Sequence, residues 1–236
     1  GAPLPVEVQD HFQRVTGCRL LEGWGMTETS PSGTTTPMTD KRVPGAAGVP
    51  APGIEIRIFG VDDKSVLMPT GEIGEIGIKG PNVMKGYWNK PEVTAESFIG
   101  EFFLTGDTGY MDEDGYMHIV DRTKDMITSG GFNVYPRIIE EAIFEHPSVE
   151  EVTVIGIYDE YRGEAAKAFI KLKVDQSEFS LDDLRDFLKD KLGKHELPSA
   201  VEFRTELPKT LVGKLSKKEL VEEERIKHEA QAKASA

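Results

Sequence analysis

The chain has 236 residues, with 28 Lys and Arg against 41 Asp and Glu and a formal net charge of −13. That balance argues against a nucleic-acid-binding surface, which needs a basic footprint. It leaves room for anions held by local lysines, backbone N–H groups or a metal. One cysteine, Cys18, excludes an intrachain disulfide and a cysteine-based zinc cluster, and with no visible signal peptide the expected setting is cytoplasmic. No apolar run reaches about 18 residues, so no transmembrane segment is expected; peripheral membrane contact stays open.

In chain order, "PVEVQDHFQRVTG" sets Val8, Phe12 and Val15 at i, i+4 and i+7 before Gly17, which predicts a packed helix with a glycine stop. A helix with so short a lead-in, after Gly1 rather than methionine, is expected of a segment cut from a longer chain. "GIEIRIFG" and "GEIGEIGIKG" alternate as half-buried strands, and "GYMDEDGYMHIVDR" predicts a hairpin turning near Asp114–Gly115. Residues 50–120 therefore read as short antiparallel strands in a small barrel or folded sheet.

The texture changes at Asp121. "PRIIEEAIFEH" predicts a helix opening on Pro136, with Ile139, Ala142, Ile143 and His146 on one side. "VTVIGI" is an apolar strand. In "AKAFIKLKV", Ala166, Ala168, Ile170, Leu172 and Val174 are expected on the core face, and Lys167, Lys171 and Lys173 on a solvated one. "SLDDLRDFLKDKLG" predicts a helix capped by Ser180, with Leu181, Leu184, Leu188 and Leu192 inside and Gly193 as its stop. A capping box, Ser216 to Glu219, opens a last helix that decays into a polar tail. The fold class is α+β multidomain: residues 1–120 belong to a β-rich domain, 121–222 form a small α+β domain and 223–236 the tail. The charged joint "VDRTKDM" favours domains in defined contact over a flexible string.

The stretch "GWGMTETSPSGTTTP" looks like a phosphate loop, yet "PSGTTTPM" lacks the lysine and second glycine that a GxxxxGK[ST] loop needs. It reads as a turn-rich surface loop. "GWGMTE" offers more. Gly23 and Gly25 permit close approach to a flat ring that Trp24 can cover, Thr27 offers a hydroxyl, and Glu28 a hard oxygen ligand for magnesium. Asp107 follows a glycine turn in "LTGD", where it can bind ribose hydroxyls or simply close the turn. Arg122 and Lys124 lie on the joint, Gly130–Gly131 form a tight turn, and Lys214 ends the glycine-flanked "PKTLVGK".

Taken in order, "EGWGMTET", "GEIGIKGPNVMKGYW", "FFLTGD", "GYMHIVDRTKDMITSGGFNVYPRIIE" and "LPKTLVGK" resemble the adenylate-forming superfamily of acyl-CoA synthetases, luciferases and peptide-synthetase adenylation domains. "GGFNVYPRIIEEAIFEHPSV" is most similar to bacterial fatty-acyl-CoA synthetases. The resemblance implies the end of the large AMP-binding domain followed by a small C-terminal lid, with the true phosphate loop and much of the acyl tunnel in a missing N-terminal part of the same enzyme. It implies a carboxylic acid, ATP and CoA as substrates, Mg2+ as metal and AMP as product. This segment alone is then expected to be inactive. Carried over by position, Gly1 and Ala2 of "GAPLP" line the adenine pocket with Gly23, Trp24 and Gly25. Thr27 meets the α-phosphate, Glu28 the magnesium, Asp107 and Arg122 the ribose, and Ile119 packs near the base. Lys214 bridges the carboxylate and α-phosphate, Lys124 is the hinge, and Gly130, Gly131 and Phe132 face the CoA channel. Cys18 has no nucleophilic role and is expected to pack as a small apolar residue. The alternatives are an adenylating enzyme acting on a carrier-protein thiol or another acid, luciferase-like oxidation, and a non-catalytic nucleotide-binding module.

Overall fold

The computed structural model describes residues 6–39, 43, 45–211 and 213–234. The chain divides into two compact units, Gly1–Thr123 and Lys124–Ala236. Among the described residues no helix is long and apolar enough to cross a membrane.

The first unit opens with α1 (Val6–Thr16), which Gly17 ends in the left-handed conformation (φ 68°) with its N–H on the Gln13 carbonyl. The apolar face expected to be packed is not. Val8, Phe12 and Val15 are 48%, 41% and 69% exposed, and the buried residue is Gln9, whose amide donates to the Leu20 carbonyl. Periodicity made the helix, but among the described residues nothing covers that stripe.

Strands β1 (Gly23–Trp24), β2 (Thr34–Thr35) and β3 (Val49–Pro50) form a three-stranded antiparallel ribbon in that order. Next come β4 (Glu55–Phe59), β5 (Gly74–Lys79), helix α2 (Pro91–Glu96), β6 (Phe98–Ile99), β7 (Phe102–Met111) and β8 (Met117–Arg122). They build a folded sheet ordered β4-β5-β7-β6, with β8 also on β7, rather than a barrel. The β7–β8 hairpin turns at Asp112–Tyr116 with Gly115 at φ 81°, as the sequence predicts. Ala47 N–H bonds Met117 O, and Met117 N–H bonds Gly48 O, tying ribbon to sheet. Ala47, Ile58, Ile76 and Met117 form the core beneath, with Trp24, Ile56 and Ile119 packed against it.

The second unit runs β9 (Ile127–Ser129), β10 (Phe132–Val134), α3 (Pro136–Phe144), β11 (Val149–Asp159), β12 (Gly163–Leu172), α4 (Leu181–Leu188), β13 (Ala200–Phe203) and α5 (Lys218–Ala234). Its sheet is ordered β10-β9-β12-β11, and β13 lies parallel to β12. On one face Ile139, Ile143, Leu184 and Leu188 from α3 and α4 pack on Val152, Val154, Ala166, Ala168 and Ile170. Ser180 caps α4 in a capping box with Asp183. The helix stops at Leu188, and Leu192 reaches the core from the turn beyond it.

The other face corrects the sequence reading. Ile155 and Phe169 are buried there beneath Leu207 and Leu220. α5 runs through the stretch read as a polar tail, to Ala234. Lys167, expected on a solvated face, is only 9% exposed and pairs with Glu202 (2.7 Å) and Glu224 (2.9 Å). Val174 lies past the end of β12 and is exposed instead of facing the core.

Candidate functional site

β1 places Trp24 half-buried on the ribbon. Its indole N–H donates to Asp107 Oδ2 at 2.9 Å, across 83 residues of sequence. Asp107 reaches this position because β7 is irregular there. The β5–β7 register shifts between Glu75 and Gly77, and Gly106 takes φ 73° with its N–H on Glu75 Oε1. Such a bulge re-aims a side chain that a regular ladder would leave in line. Thr105 Oγ1 donates to Ile76 O and accepts from the Asp107 N–H, which fixes the bulge. On β8, Arg122 stands directly opposite Asp107, with Nε 3.5 Å from Oδ1. Asp107 is 16% exposed and Arg122 62%, so a sheltered carboxylate meets a solvated cation. Ile119, on the same strand, packs in the cluster that holds the Trp24 ring.

The glycines of this stretch serve the protein's own packing. A Cβ on Gly25 would sit 1.5 Å from the Pro31 carbonyl oxygen, and one on Gly33 2.5 Å from the Trp24 ring. Close approach is thus required, but the ring that lies on glycine is Trp24 on Gly33. The SGTTT run returns as β2. Thr34 Oγ1 donates to Ala47 O (2.5 Å) and accepts the Trp24 N–H, while Thr36 Oγ1 donates to Glu22 O. Two of its three threonine hydroxyls are consumed internally, consistent with the spacing argument against a phosphate loop.

Thr27 and Glu28 open a short 3-10 turn, Thr27–Thr29, with Thr27 exposed. Glu28 Oε1 accepts a hydrogen bond from the Tyr87 hydroxyl at 3.0 Å, and its carbonyl accepts the Met84 N–H. Burial, then the Glu28 hydrogen bond and charge, raise the Tyr87 phenol above its ordinary pKa. Among the described residues no three His, Cys, Asp or Glu gather as a metal cage. One half-buried carboxylate instead fits magnesium's usual mode, in which one or two carboxylates, waters and substrate phosphates share the ion. Tyr87 was missed by sequence reasoning; it is one aromatic in "MKGYW" with no local sign of its partner.

In the second unit, Gly130 and Gly131 take φ 58° and 84° between paired Ser129 and Phe132, a two-residue hairpin that needs left-handed backbone at both positions. Phe132 is half exposed and stacks on His195 with ring centroids 4.6 Å apart. Lys214 lies on a tight turn, exposed, with its carbonyl accepting the Thr210 N–H and Gly213 at φ 79°. Lys124 is the first residue of this unit and sits exposed in a 3-10 turn, Thr123–Asp125. Gly1 and Ala2 lie outside the described residues. Cys18 is exposed, not packed.

Comparison with known proteins gives two family models. "AMP-binding enzyme" matches residues 1–88 and "AMP-binding enzyme C-terminal domain" residues 138–214, together more than half the chain. A long-chain-fatty-acid–CoA ligase of Bacillus subtilis (strain 168) is 46% identical over 227 residues, which is 96% of this chain and 40% of the relative. A feruloyl-CoA synthase of an Amycolatopsis species is 40% identical over 93% of this chain and 44% of its own length. Among solved structures, ATP-bound MatB from Rhodopseudomonas palustris superimposes with a TM-score of 0.88 at 39% identity, covering 94% of this chain and 44% of that one. The o-succinylbenzoate-CoA synthetase MenE of Bacillus subtilis, in complex with its acyl-adenylate intermediate OSB-AMP, gives 0.79 at 32% identity over 93% and 44%. The chain therefore spans less than half the length of the relatives it matches.

Proposed function

Because this chain belongs to the AMP-binding, adenylate-forming enzyme family, we propose that it is the C-terminal part of an ATP-dependent ligase joining a carboxylic acid, of the fatty-acid class, to coenzyme A. The observation that carries this reading is the convergence of Trp24, Asp107 and Arg122 on one another. A flat ring, and a sheltered carboxylate backed by a guanidinium, are what a purine and a ribose diol call for. The coverage of relatives at 40% supports the further proposal that a preceding part of the same polypeptide completes the enzyme.

The reaction has two steps. The acid's carboxylate oxygen attacks the α-phosphorus of ATP, and the bond to pyrophosphate breaks. The CoA thiol, losing its proton, then attacks the acyl carbon, and AMP leaves. Catalysis is positioning plus charge stabilisation, with no covalent enzyme intermediate required. Gly23, Trp24 and Gly25 shape the adenine side, and Ile119 backs it. Asp107 accepts from the ribose hydroxyls and Arg122 balances its charge. Thr27 donates to the α-phosphate. Magnesium, when bound with the triphosphate, neutralises phosphate oxygens, and Glu28 is the residue that would hold it. Lys214 is assigned the point cation for the carboxylate and α-phosphate oxygens. Lys124 takes the backbone torsion that separates the two half-reactions, and Gly130, Gly131 and Phe132 serve the pantetheine side.

The test is ATP–pyrophosphate exchange by the full-length polypeptide over a series of carboxylic acids, followed by thioester formation with CoA or a carrier-protein thiol. The expected result is exchange with fatty acids and transfer to CoA. Exchange with no acid would sink the ligase reading; transfer only to a carrier thiol would replace CoA.

A further inference from the structure

We propose that Tyr87 is a positioning residue: its phenol sets the Glu28 carboxylate, and the Asn82–Tyr87 segment braces the turn that carries it. This rests on Glu28 being the metal-side carboxylate. The turn needs such a brace. Thr27–Thr29 is a single 3-10 turn, and Glu28 has three side-chain torsions to restrain. Four hydrogen bonds arrive from one segment, 50 or more residues further along the chain. Tyr87 Oη donates to Glu28 Oε1 at 3.0 Å, Met84 N–H donates to Glu28 O at 2.8 Å, and Asn82 Nδ2 donates to Thr29 O at 2.7 Å and also to Ser32 O. Backbone and side chain of Glu28 are therefore fixed together. Tyr87 is itself seated, its N–H bonding Thr94 Oγ1 at 2.9 Å.

The chemistry of the donor matters. A lysine or arginine on Glu28 would neutralise the charge that a divalent cation needs. A phenol donates one hydrogen bond to one oxygen and stays neutral, so the carboxylate is oriented while its full charge is kept. An ordinary phenol is protonated throughout the neutral range, so the donor persists there.

The experiment uses the full-length enzyme, with Mg2+ dependence of ATP–pyrophosphate exchange and, separately, retention of Mn2+ by the enzyme–ATP complex read from the resonance of free Mn2+. Tyr87→Phe is expected to raise the half-saturating Mg2+ concentration and weaken Mn2+ retention by roughly tenfold, the scale of a lost outer hydrogen bond to a metal ligand. The KM for the carboxylic acid stays within about twofold, because a metal-side effect leaves acid binding alone. Glu28→Gln weakens both metal readouts further, and Tyr87→Phe added to it changes nothing more, since the phenol acts through that carboxylate. Thr94→Val, which removes the acceptor of the Tyr87 N–H along with the Thr94 hydroxyl's bond to Lys90 O, shifts both readouts in the same direction by less and serves if Tyr87→Phe does not fold. Normal metal dependence in Tyr87→Phe or Thr94→Val, alongside a loss in Glu28→Gln, overturns the brace. Normal metal dependence in Glu28→Gln overturns the assignment of Glu28 beneath it.

Discussion

Asp107 and Lys167 are both charged residues in the interior of strands, and their surroundings differ in kind. Asp107 sits on a bulge at the edge of burial, where it accepts from the Trp24 indole N–H and faces an arginine that is mostly in solvent. Lys167 lies in a regular ladder under α5, with Glu202 and Glu224 within 3 Å, its ammonium 4.8 Å from the centroid of the Phe169 ring. Around it Arg204 binds Glu202 and Glu223, and Lys227 binds Glu224 and Glu202. The first arrangement orients a sheltered carboxylate beside a solvated guanidinium. The second saturates its charges against one another and straps a polar helix to a sheet. A carboxylate paired with a solvated guanidinium at the edge of burial is placed for chemistry; a charge enclosed by several opposite charges is structural.

Substitutions can break this contrast. The largest effect is expected at Lys214, assigned to catalysis. In the full-length enzyme Lys214→Ala should slow adenylation by about 10²–10³, the scale for removing one transition-state charge partner, while thioester formation from supplied acyl-adenylate persists. Equal loss in both half-reactions, measured by exchange and by thiol transfer, would remove that role. Lys167→Ala should act on stability instead. It removes one of the two lysines that Glu202 and Glu224 share, Lys227 being the other, and should cost about 2 kcal/mol in denaturant unfolding; an unchanged midpoint would make the strap ornamental. Trp24→Phe keeps the ring and deletes the N–H to Asp107. It should raise the KM for ATP about tenfold, the loss of one hydrogen bond to a charged group, and narrow the preference for ATP over 2′-deoxy-ATP.

The smallest effect is in pH. Burial opposes ionisation of Glu202, but hydrogen bonds from Lys167 and Arg204 outweigh it and hold its pKa at about 2, down from 4.5. A carboxyl depressed on folding contributes stability above its unfolded pKa and loses it as pH falls through the folded one. The strap should therefore weaken between about pH 4.5 and 2, by about 1 kcal/mol once solvent screening of this partly exposed group is allowed for. Glu202→Gln should flatten that part of an acid unfolding curve.

Much of the fold was legible because its signals are local. Ser180 with Asp183, Pro136 at a helix start, Gly115 in a hairpin and Gly130–Gly131 between paired strands each carry a geometric demand within a few residues. The alternation of β12 correctly named Ala166, Ala168 and Ile170 as core. It could not say whether the opposite face was wet, because α5 buries little more than Leu220 and makes its other contacts with polar side chains such as Glu223, Glu224 and Lys227, so it carries no clear apolar stripe. The same gap misread α1 in the other sense: a clean apolar stripe, exposed among the described residues. Periodicity reports which residues share a face, not what lies on it.

The site divides along the same line. Residue types and spacing alone removed SGTTT as a phosphate cradle, and motif order singled out Trp24, Glu28, Asp107, Arg122 and Lys214. Only the tertiary structure joined Trp24 to Asp107, and it did so through a bulge whose register shift no window of sequence displays. Only the tertiary structure gave Glu28 its partner in Tyr87, 59 residues away. Hydrogen bonds of this kind depend on where two backbones end up to within a few tenths of an ångström. Local sequence sets the conformations of the pieces, and the packing of those pieces sets that distance.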